Sequence, residues 1–181
     1  MFACLSLCAV FYTGRAVLTG SWGLSFRQDG LPPVGSAGAP QLARYDAAFL
    51  DESGEKVLYL TFDAGYENGC TEKILDVLKK HNAPAAFFLV GNYIEKNEDL
   101  VRRMVKEGHI VGNHSTTHPS FAEIDRTEMA EEIEETENYL RENFGYSAKY
   151  FRFPAGEYNE SALELISSLG YSSVFWSVAY D

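Results

Sequence analysis

Five short segments of the chain are rich in apolar, β-branched and aromatic residues, a pattern that predicts buried β-strands. In order, they are residues 57–62, 85–90, 109–112, 149–153 and 173–178. Between these segments, apolar residues recur every three or four positions, which predicts amphipathic helices. Strands and helices therefore alternate, and this predicts an α/β fold with parallel strands and helices packed outside them.

Polar residues, glycines and a proline predict where the helices begin and end. Asp125 with Glu128 has the sequence pattern of a capping box. The expected starts and stops are, in order, Thr71 and Pro84, Glu98 and Gly108, Asp125 and Gly145, and Asn159 and Gly170. The acidic side chains of the third of these helices are predicted to form a solvated face: Glu132, Glu134, Glu135 and Glu137.

The first 56 residues lack this alternation. Residues 1–18 are mostly apolar with Arg15 as their only charge, so residues 1–20 are assigned as a signal peptide or N-terminal anchor, with a buried helix as the alternative. Residues 21–56 are assigned as an extended lead-in, because the segments 31–33 and 35–40 are too rich in proline and glycine for helix or sheet. A short helix is expected near residues 42–49, and Trp22 and Phe26 are expected to pack on the main domain.

The size and net charge of the chain limit the kinds of molecule that it is expected to bind. At 181 residues the chain has the size of one domain, and its 46% hydrophobic content is ordinary for a globular protein. The net charge of −11 argues against nucleic acid as a partner, because phosphates need a basic surface. Three cysteines build no disulfide framework. A neutral sugar chain or a small substrate fits this charge better.

A polar cluster accompanies the end of three predicted strands, at residues 61–65, 112–119 and 152–156. Parallel strands share one carboxyl edge, where β/α folds place their chemistry, so the three clusters are expected to meet. His114 and His118 are four residues apart and can bind one divalent metal, and a nearby carboxylate can then take a proton from water. Taken singly, the histidines could instead bond to backbone, Asp63 could cap a turn, and Arg152 could be a surface charge.

Together, the clusters resemble the motifs of the polysaccharide deacetylase (NodB-homology) family, carbohydrate esterase family four. The resemblance rests on Thr61-Phe62-Asp63-Ala64-Gly65, His114-Ser115-Thr116-Thr117-His118 and Arg152-Phe153-Pro154-Ala155-Gly156, and it runs from about residue 57 to the end. The continuation Gly65-Tyr66-Glu67-Asn68-Gly69 is similar to that of the delta-lactam-forming muramic-acid de-N-acetylases of spore-forming bacteria.

The resemblance implies a distorted (β/α) barrel and a divalent metal, usually zinc. Asp63 would be the catalytic base that deprotonates the attacking water, and Arg152 would hydrogen-bond Asp63 and hold it ionised and aimed. His114 and His118 would be the metal ligands. The backbone N–H of Ala155 would stabilise the tetrahedral oxyanion.

The sequence departs from the family pattern at two points. Most members carry a second aspartate as metal ligand where this chain has Ala64, so weaker metal binding or a water in its place is expected. The muramic-acid subgroup departs in the same way. The family's general acid, a histidine in a later Leu-x-His motif, is absent from these 181 residues, and the chain is expected to be truncated after its fifth strand. Without that acid, the truncated chain alone is expected to be inactive. Tyr66 and Asn68 are expected to line the rim of the site, and Glu67 is considered as a substitute ligand.

The expected activity is metal-dependent de-N-acetylation of a peptidoglycan amino sugar, N-acetylmuramic acid on the route to muramic delta-lactam. The alternatives are deacetylation of chitin-like chains or xylan, and a non-catalytic glycan-binding fragment. The protein is expected to be a secreted or membrane-anchored monomer.

Overall fold

The computed structural model describes residues 19–26 and 31–179. Its strands are β1 Thr19–Ser21, β2 Leu24–Ser25, β3 Val34–Gly35, β4 Ala47–Ala48, β5 Thr61–Ala64, β6 Ala86–Leu89, β7 Ile110–Asn113, β8 Tyr150–Phe151, β9 Glu157–Asn159 and β10 Ser172–Val174. Its α-helices are α1 Ala39–Leu42, α2 Thr71–Lys80, α3 Gly91–Lys96, α4 Glu98–Lys106, α5 Arg126–Phe144 and α6 Glu160–Ser168. Two 3₁₀ turns cover Ala43–Tyr45 and Pro154–Gly156.

Six parallel strands form the central sheet, in the order β4-β10-β8-β7-β6-β5. From β5 onward, helices connect the strands of this sheet, as expected for parallel neighbours, which cannot be joined by a tight turn. The predicted α/β class with parallel strands is confirmed, and the curled sheet has the form of a half-barrel. Within the described residues, β4 and β5 are the edges of this sheet.

The first predicted strand begins later than expected. Val57, Leu58, Tyr59 and Leu60 are exposed, with Leu58 at 89%, and the strand starts at Thr61. In the described part of the sheet, β5 pairs with β6. This pairing begins where Thr61 lies opposite Ala86, so residues before Thr61 have no partner in β6. A run of β-forming residues becomes a strand only where a partner strand lies beside it.

The lead-in contains regular structure that the sequence did not predict. Segment β3 pairs antiparallel with β2, so the prediction that residues 35–40 hold neither helix nor sheet is wrong. Helix α1 carries its proline in the first turn, where no N–H donor is needed. In place of the helix expected over residues 42–49, a 3₁₀ turn leads into β4, which joins the sheet beside β10.

Trp22, in the lead-in, packs against the main domain, as predicted. It is 5% exposed, stacks on Phe175 at 4.6 Å between ring centroids, and donates from Nε1 to the backbone oxygen of Trp176 at 2.9 Å. The same prediction for Phe26 is wrong, since Phe26 is 70% exposed.

Helix ends follow the sequence in most places. Asp125 and Glu128 form the predicted capping box, and Gly145 ends α5 at φ 60. The Asn159 side chain accepts from the Ala162 amide at 2.8 Å. Thr71 is not the cap of α2 but its first residue. Helix α3, which precedes α4, was not predicted.

The expected solvated face of α5 is only partly solvated. Glu134 and Glu135 are exposed, as predicted. Glu137 instead accepts hydrogen bonds from the Ala148 amide and the Tyr171 hydroxyl, and Glu132 binds a loop described below. For those two residues the prediction is wrong, because two different segments pack against α5, residues 116–117 at Glu132 and residues 148 and 171 at Glu137.

Residues 1–18, which carry the predicted signal peptide or anchor, lie outside the described residues. Across 19–26 and 31–179, no helix combines the length and apolar character required to span a bilayer.

We expect Gly112→Ala to destabilise the protein by about 1–3 kcal/mol, because its methyl group would overpack the core. An added Cβ would lie 2.5 Å from the Phe88 ring and 3.2 Å from the Tyr150 carbonyl oxygen. Urea denaturation measures the change in unfolding free energy. Gly23→Ala is the control, because its Cβ would meet nothing within 4 Å. Equal stabilities of the two variants would contradict this packing.

Candidate active site

Three strand ends bring the predicted site residues together at the carboxyl edge of the sheet. Asp63 lies in β5, His114 follows β7 directly, and Arg152 follows β8 directly. Their side chains meet, with Arg152 Nη1 at 2.7 Å from Asp63 Oδ1 and His114 Nε2 at 4.0 Å from Asp63 Oδ2. The expected convergence of the three clusters is therefore present.

The ion pair of Asp63 and Arg152 is asymmetric in its exposure. The Arg152 side chain is 4% exposed and that of Asp63 is 39% exposed. Arg152 also donates from Nε to the Val174 carbonyl at 3.0 Å, and its guanidinium lies 4.1 Å from the centre of the Phe88 ring. Burial lowers the pKa of Arg152, and the adjacent Asp63 carboxylate opposes that shift. The arginine therefore fixes the direction of the carboxylate.

His114 is buried and held in one tautomer. Its Nδ1 lies 2.7 Å from the backbone oxygen of Arg152, and because a carbonyl can only accept, Nδ1 carries the proton. Burial is the main cause of the lowered pKa of His114, which favours the neutral imidazole. The lone pair on Nε2 is therefore free on the side of Asp63, as a metal ligand requires.

His118 is exposed at the other end of the same loop. Its ring lies edge-on to that of His114, with 4.9 Å between the ring centroids. Ser115 and His118 both have positive φ angles, 66° and 64°, a conformation that costs a non-glycine residue about 1–3 kcal/mol. Hydrogen bonds compensate, with the His118 amide donating to Ser115 Oγ at 3.0 Å and the Ser115 amide to Asn113 Oδ1 at 2.9 Å.

The donor atoms fit a divalent cation only in part. Two imidazoles lie 4.9 Å apart between ring centroids, and one of them lies beside a carboxylate, which is a suitable ligand chemistry for zinc. Among residues 19–26 and 31–179, however, no group of three or more His, Cys, Asp or Glu side chains is placed to hold a metal. Ala64 supplies only a methyl group. The residues present thus fit a cation bound by His114 and His118, with its other positions left to water and substrate.

The residues that follow Asp63 form a turn that starts helix α2. Glu67 accepts from the Gly69 amide at 2.6 Å and from the Tyr93 hydroxyl at 2.8 Å, while Asn68 Oδ1 accepts from the Cys70 amide at 3.1 Å. Both oxygens of Glu67 are thus occupied, which argues against its use as a substitute ligand. Tyr66 is 85% exposed.

Ala155 lies in the 3₁₀ turn that follows Arg152. It is exposed and has a φ of 52°. In the described part of the chain, no hydrogen bond joins Ala155 to Asp63 or to the histidines, so its role at the oxyanion stays a prediction, as do those of Tyr66 and Asn68.

Sequence reasoning missed two supports of the site. The Phe88 ring beneath Arg152 was assigned only to a buried strand. Glu132 was assigned to solvent, although Thr136, one helical turn later, places a buried polar group on the same side of α5. A buried threonine within an apolar stripe was the available signal for a polar contact there.

Comparison with known proteins identifies the class of protein. Residues 51–174 match the family described as polysaccharide deacetylase, and the chain belongs to that family.

Two curated relatives show how far the similarity extends. The chain is 39% identical over 162 residues to peptidoglycan-N-acetylmuramic acid deacetylase PdaA of Bacillus subtilis, covering 88% of this chain and 62% of that protein. It is 39% identical over 135 residues to a peptidoglycan-N-acetylglucosamine deacetylase of Bacillus cereus, covering 75% of this chain and 49% of that protein. The chain therefore spans roughly half to three-fifths of the length of these relatives.

Solved structures share the fold. The structure of Bacillus subtilis PdaA, a family 4 carbohydrate esterase, superposes with a TM-score of 0.83 at 39% identity, over 88% of this chain and 69% of that one. A family 4 carbohydrate esterase from Bacillus anthracis gives a TM-score of 0.80 at 38% identity, over 91% of this chain and 75% of that one. The predicted family and fold are confirmed.

We expect Asp63→Asn to lower the unfolding free energy by about 2 kcal/mol, because it leaves the buried charge of Arg152 without its counter-ion. The loss stays below that of a fully buried pair, since Asp63 is partly exposed. Asp76→Asn is the matched control, because Asp76 is 66% exposed in its pair with Arg103 and should contribute at most about 1 kcal/mol. Chemical denaturation of both variants decides, and equal losses would count against a special role for the Asp63 pair.

Proposed function

We propose that this chain carries the catalytic base and the metal-binding histidines of an enzyme that removes N-acetyl groups from peptidoglycan amino sugars. The observation that carries the proposal is the Asp63–Arg152 ion pair beside the free Nε2 of His114. Membership of the polysaccharide deacetylase family supports the same reaction class.

The chemistry follows from which atoms are already occupied. Arg152 engages Oδ1 of Asp63, so Oδ2, on the side of His114, is the oxygen placed to accept a proton from water. The water oxygen then adds to the acetamide carbonyl carbon. The C–N bond breaks, and acetate and a free amine are the products. The amine needs one proton, which the family resemblance assigns to a histidine of a later motif.

A divalent cation, proposed to be zinc, would be held by His114 and His118. When bound, it would polarise the acetamide carbonyl and lower the pKa of water towards about 7. His114 supports this role through its fixed tautomer. The backbone N–H of Ala155 is proposed as a further donor to the oxyanion, and Tyr66 and Asn68 as rim residues that contact the glycan.

N-acetylmuramic acid is the proposed sugar, on the route to muramic delta-lactam. The similarity to a peptidoglycan-N-acetylmuramic acid deacetylase supports it. The second candidate is N-acetylglucosamine, favoured by the similarity to a deacetylase named for that sugar. Since peptidoglycan lies outside the cytoplasmic membrane, we also propose an extracytoplasmic location.

A non-catalytic glycan-binding role is the alternative from another class. Ala64 favours it, because one protein ligand of the usual set is missing. The buried Arg152 counts against it, because burial of a guanidinium beside a carboxylate costs desolvation energy, and binding a neutral glycan gives no reason for that cost.

In the full-length protein, Asp63→Asn should reduce acetate release from peptidoglycan about a thousand-fold, because an amide cannot accept the proton from water. Acetate is measured directly, and the deacetylated sugar is identified by mass spectrometry as muramic acid or glucosamine. Asp76→Asn should retain normal activity. Near-normal turnover in a folded Asp63→Asn enzyme would overturn the mechanism.

Removal of divalent metal with a chelator should abolish activity, and added zinc should restore it. His114→Ala and His118→Ala should each weaken zinc binding measured by calorimetry, because each removes one imidazole. His81→Ala is the control, since His81 is exposed at the end of α2. Unchanged zinc affinity in both His114→Ala and His118→Ala would contradict the proposed ligands.

A further inference from the structure

The loop from His114 to His118 is bound by one carboxylate that lies outside the motif. Oε2 of Glu132, on helix α5, accepts from the backbone amides of Thr116 at 2.9 Å and Thr117 at 2.8 Å. Its Oε1 accepts from the Thr117 hydroxyl at 2.6 Å. Charged acceptors make stronger hydrogen bonds than neutral ones, so this is a firm attachment.

A second contact repeats the attachment from the same turn of α5. The Thr116 hydroxyl lies 3.0 Å from the backbone oxygen of Glu132, to which it donates, and 2.9 Å from Thr136 Oγ1. Thr116 and Thr136 are both buried, at 8% and 1% exposure. The middle of the loop is thereby fixed to α5 by side-chain and backbone atoms together.

The other side of the loop is closed by packing. The Gly91 amide donates to the Ser115 carbonyl at 3.0 Å, and a Cβ on Gly91 would lie 3.0 Å from Thr116 Cα. The loop therefore has little room to shift toward α3. On the side of α5, the carboxylate of Glu132 and the hydroxyl of Thr116 hold the loop, and the carboxylate binds both backbone amides.

This restraint matters because the loop is strained at both of its ends. Ser115 and His118 hold positive φ angles, and such conformations persist only where the surroundings enforce them. Thr116 and Thr117, the two residues between them, are the ones that Glu132 binds. Release of these amides would let the backbone relax and move the His118 ring away from that of His114.

We propose that Glu132 is a positioning residue that sets the separation of the His114 and His118 imidazoles. It touches neither imidazole and acts through the backbone of Thr116 and Thr117. The inference rests on the proposed function, in which the two imidazoles share one divalent cation. Partners that orient ligands from outside the ligand set commonly alter metal affinity ten- to hundred-fold when they are removed.

The test compares Glu132→Ala, Glu132→Gln and the control Glu135→Ala in the purified chain. Glu135 is exposed on the same helix, and within the described residues it makes no hydrogen bond to the loop. Two quantities are measured: hydrogen exchange of the Thr116 and Thr117 amides without metal, and zinc affinity by calorimetry. Thermal unfolding of each variant establishes that it is folded.

Glu132→Ala should speed exchange of both amides at least ten-fold and weaken zinc affinity by about ten- to hundred-fold. Glu132→Gln should stay within a few-fold of the parent, because an amide oxygen still accepts from the two N–H groups. Glu135→Ala should match the parent in both measurements. If Glu132→Ala does not fold, Thr117→Val is used, since it removes only the hydroxyl donor; it should weaken zinc affinity several-fold.

Parent-like exchange and zinc affinity in a folded Glu132→Ala, or in Thr117→Val where that variant is used, would overturn the proposal. A lower melting temperature with unchanged zinc affinity would also overturn it, because that is the result of a purely structural contact. If the parent chain bound no zinc while Glu132→Ala still freed the two amides, the proposed metal-dependent function would fail. The ordering of the loop by Glu132 would then still be supported.

Discussion

The ion pair between Asp63 and Arg152 joins two strand ends that lie 89 residues apart in sequence. Arg152 also connects to the third, because its backbone oxygen accepts from His114 Nδ1. One residue thus orients the carboxylate with its side chain and the imidazole with its main chain. Displacement of Arg152 would disturb both, which makes this the contact on which the geometry of the site depends.

The sheet supplies the rigidity that this arrangement needs. Arg152 lies over the Phe88 ring. That ring occupies the space that a side chain at position 112 of the neighbouring strand β7 would need. The buried guanidinium of Arg152 therefore packs against Phe88 on one side and pairs with the Asp63 carboxylate. Such a site is preorganised, in the sense that its groups need not move when substrate binds.

The histidine loop is organised differently. Its backbone is strained, and its stability comes from hydrogen bonds to α5 and from packing against the start of α3. Helix α5 therefore does more than cover the sheet. It carries the carboxylate that holds the loop, and the strand that precedes the loop pairs directly with β8, which leads into Arg152.

The sequence predicted the site better than it predicted the edges of the fold. Asp63, His114 and Arg152 were placed together because strand ends in an α/β fold share one edge, a rule that needs no knowledge of side-chain contacts. The strand Ala47–Ala48 was missed because alanine has little strand preference, and only the neighbouring β10 makes it a strand. Residues 57–60 were assigned to a strand for the opposite reason: they have a strong local preference for β-structure, but no described strand pairs with them.

Glu132 shows a limit of a different kind. Helical periodicity gives the face on which a side chain lies, but it does not show which distant loop folds against that face. Thr116 and Glu132 are 16 positions apart, and while the buried Thr136 indicates a polar contact on that face of α5, it does not indicate which loop makes it. It becomes visible only when the loop and helix α5 are seen together.

The most direct test of the account is anomalous X-ray diffraction at the zinc absorption edge from crystals grown with zinc. The account predicts a single strong peak about 2.0–2.1 Å from an imidazole nitrogen of both His114 and His118, with Asp63 still paired to Arg152. A peak that involves neither histidine, or zinc bound by Asp63 in place of its contact with Arg152, would contradict it.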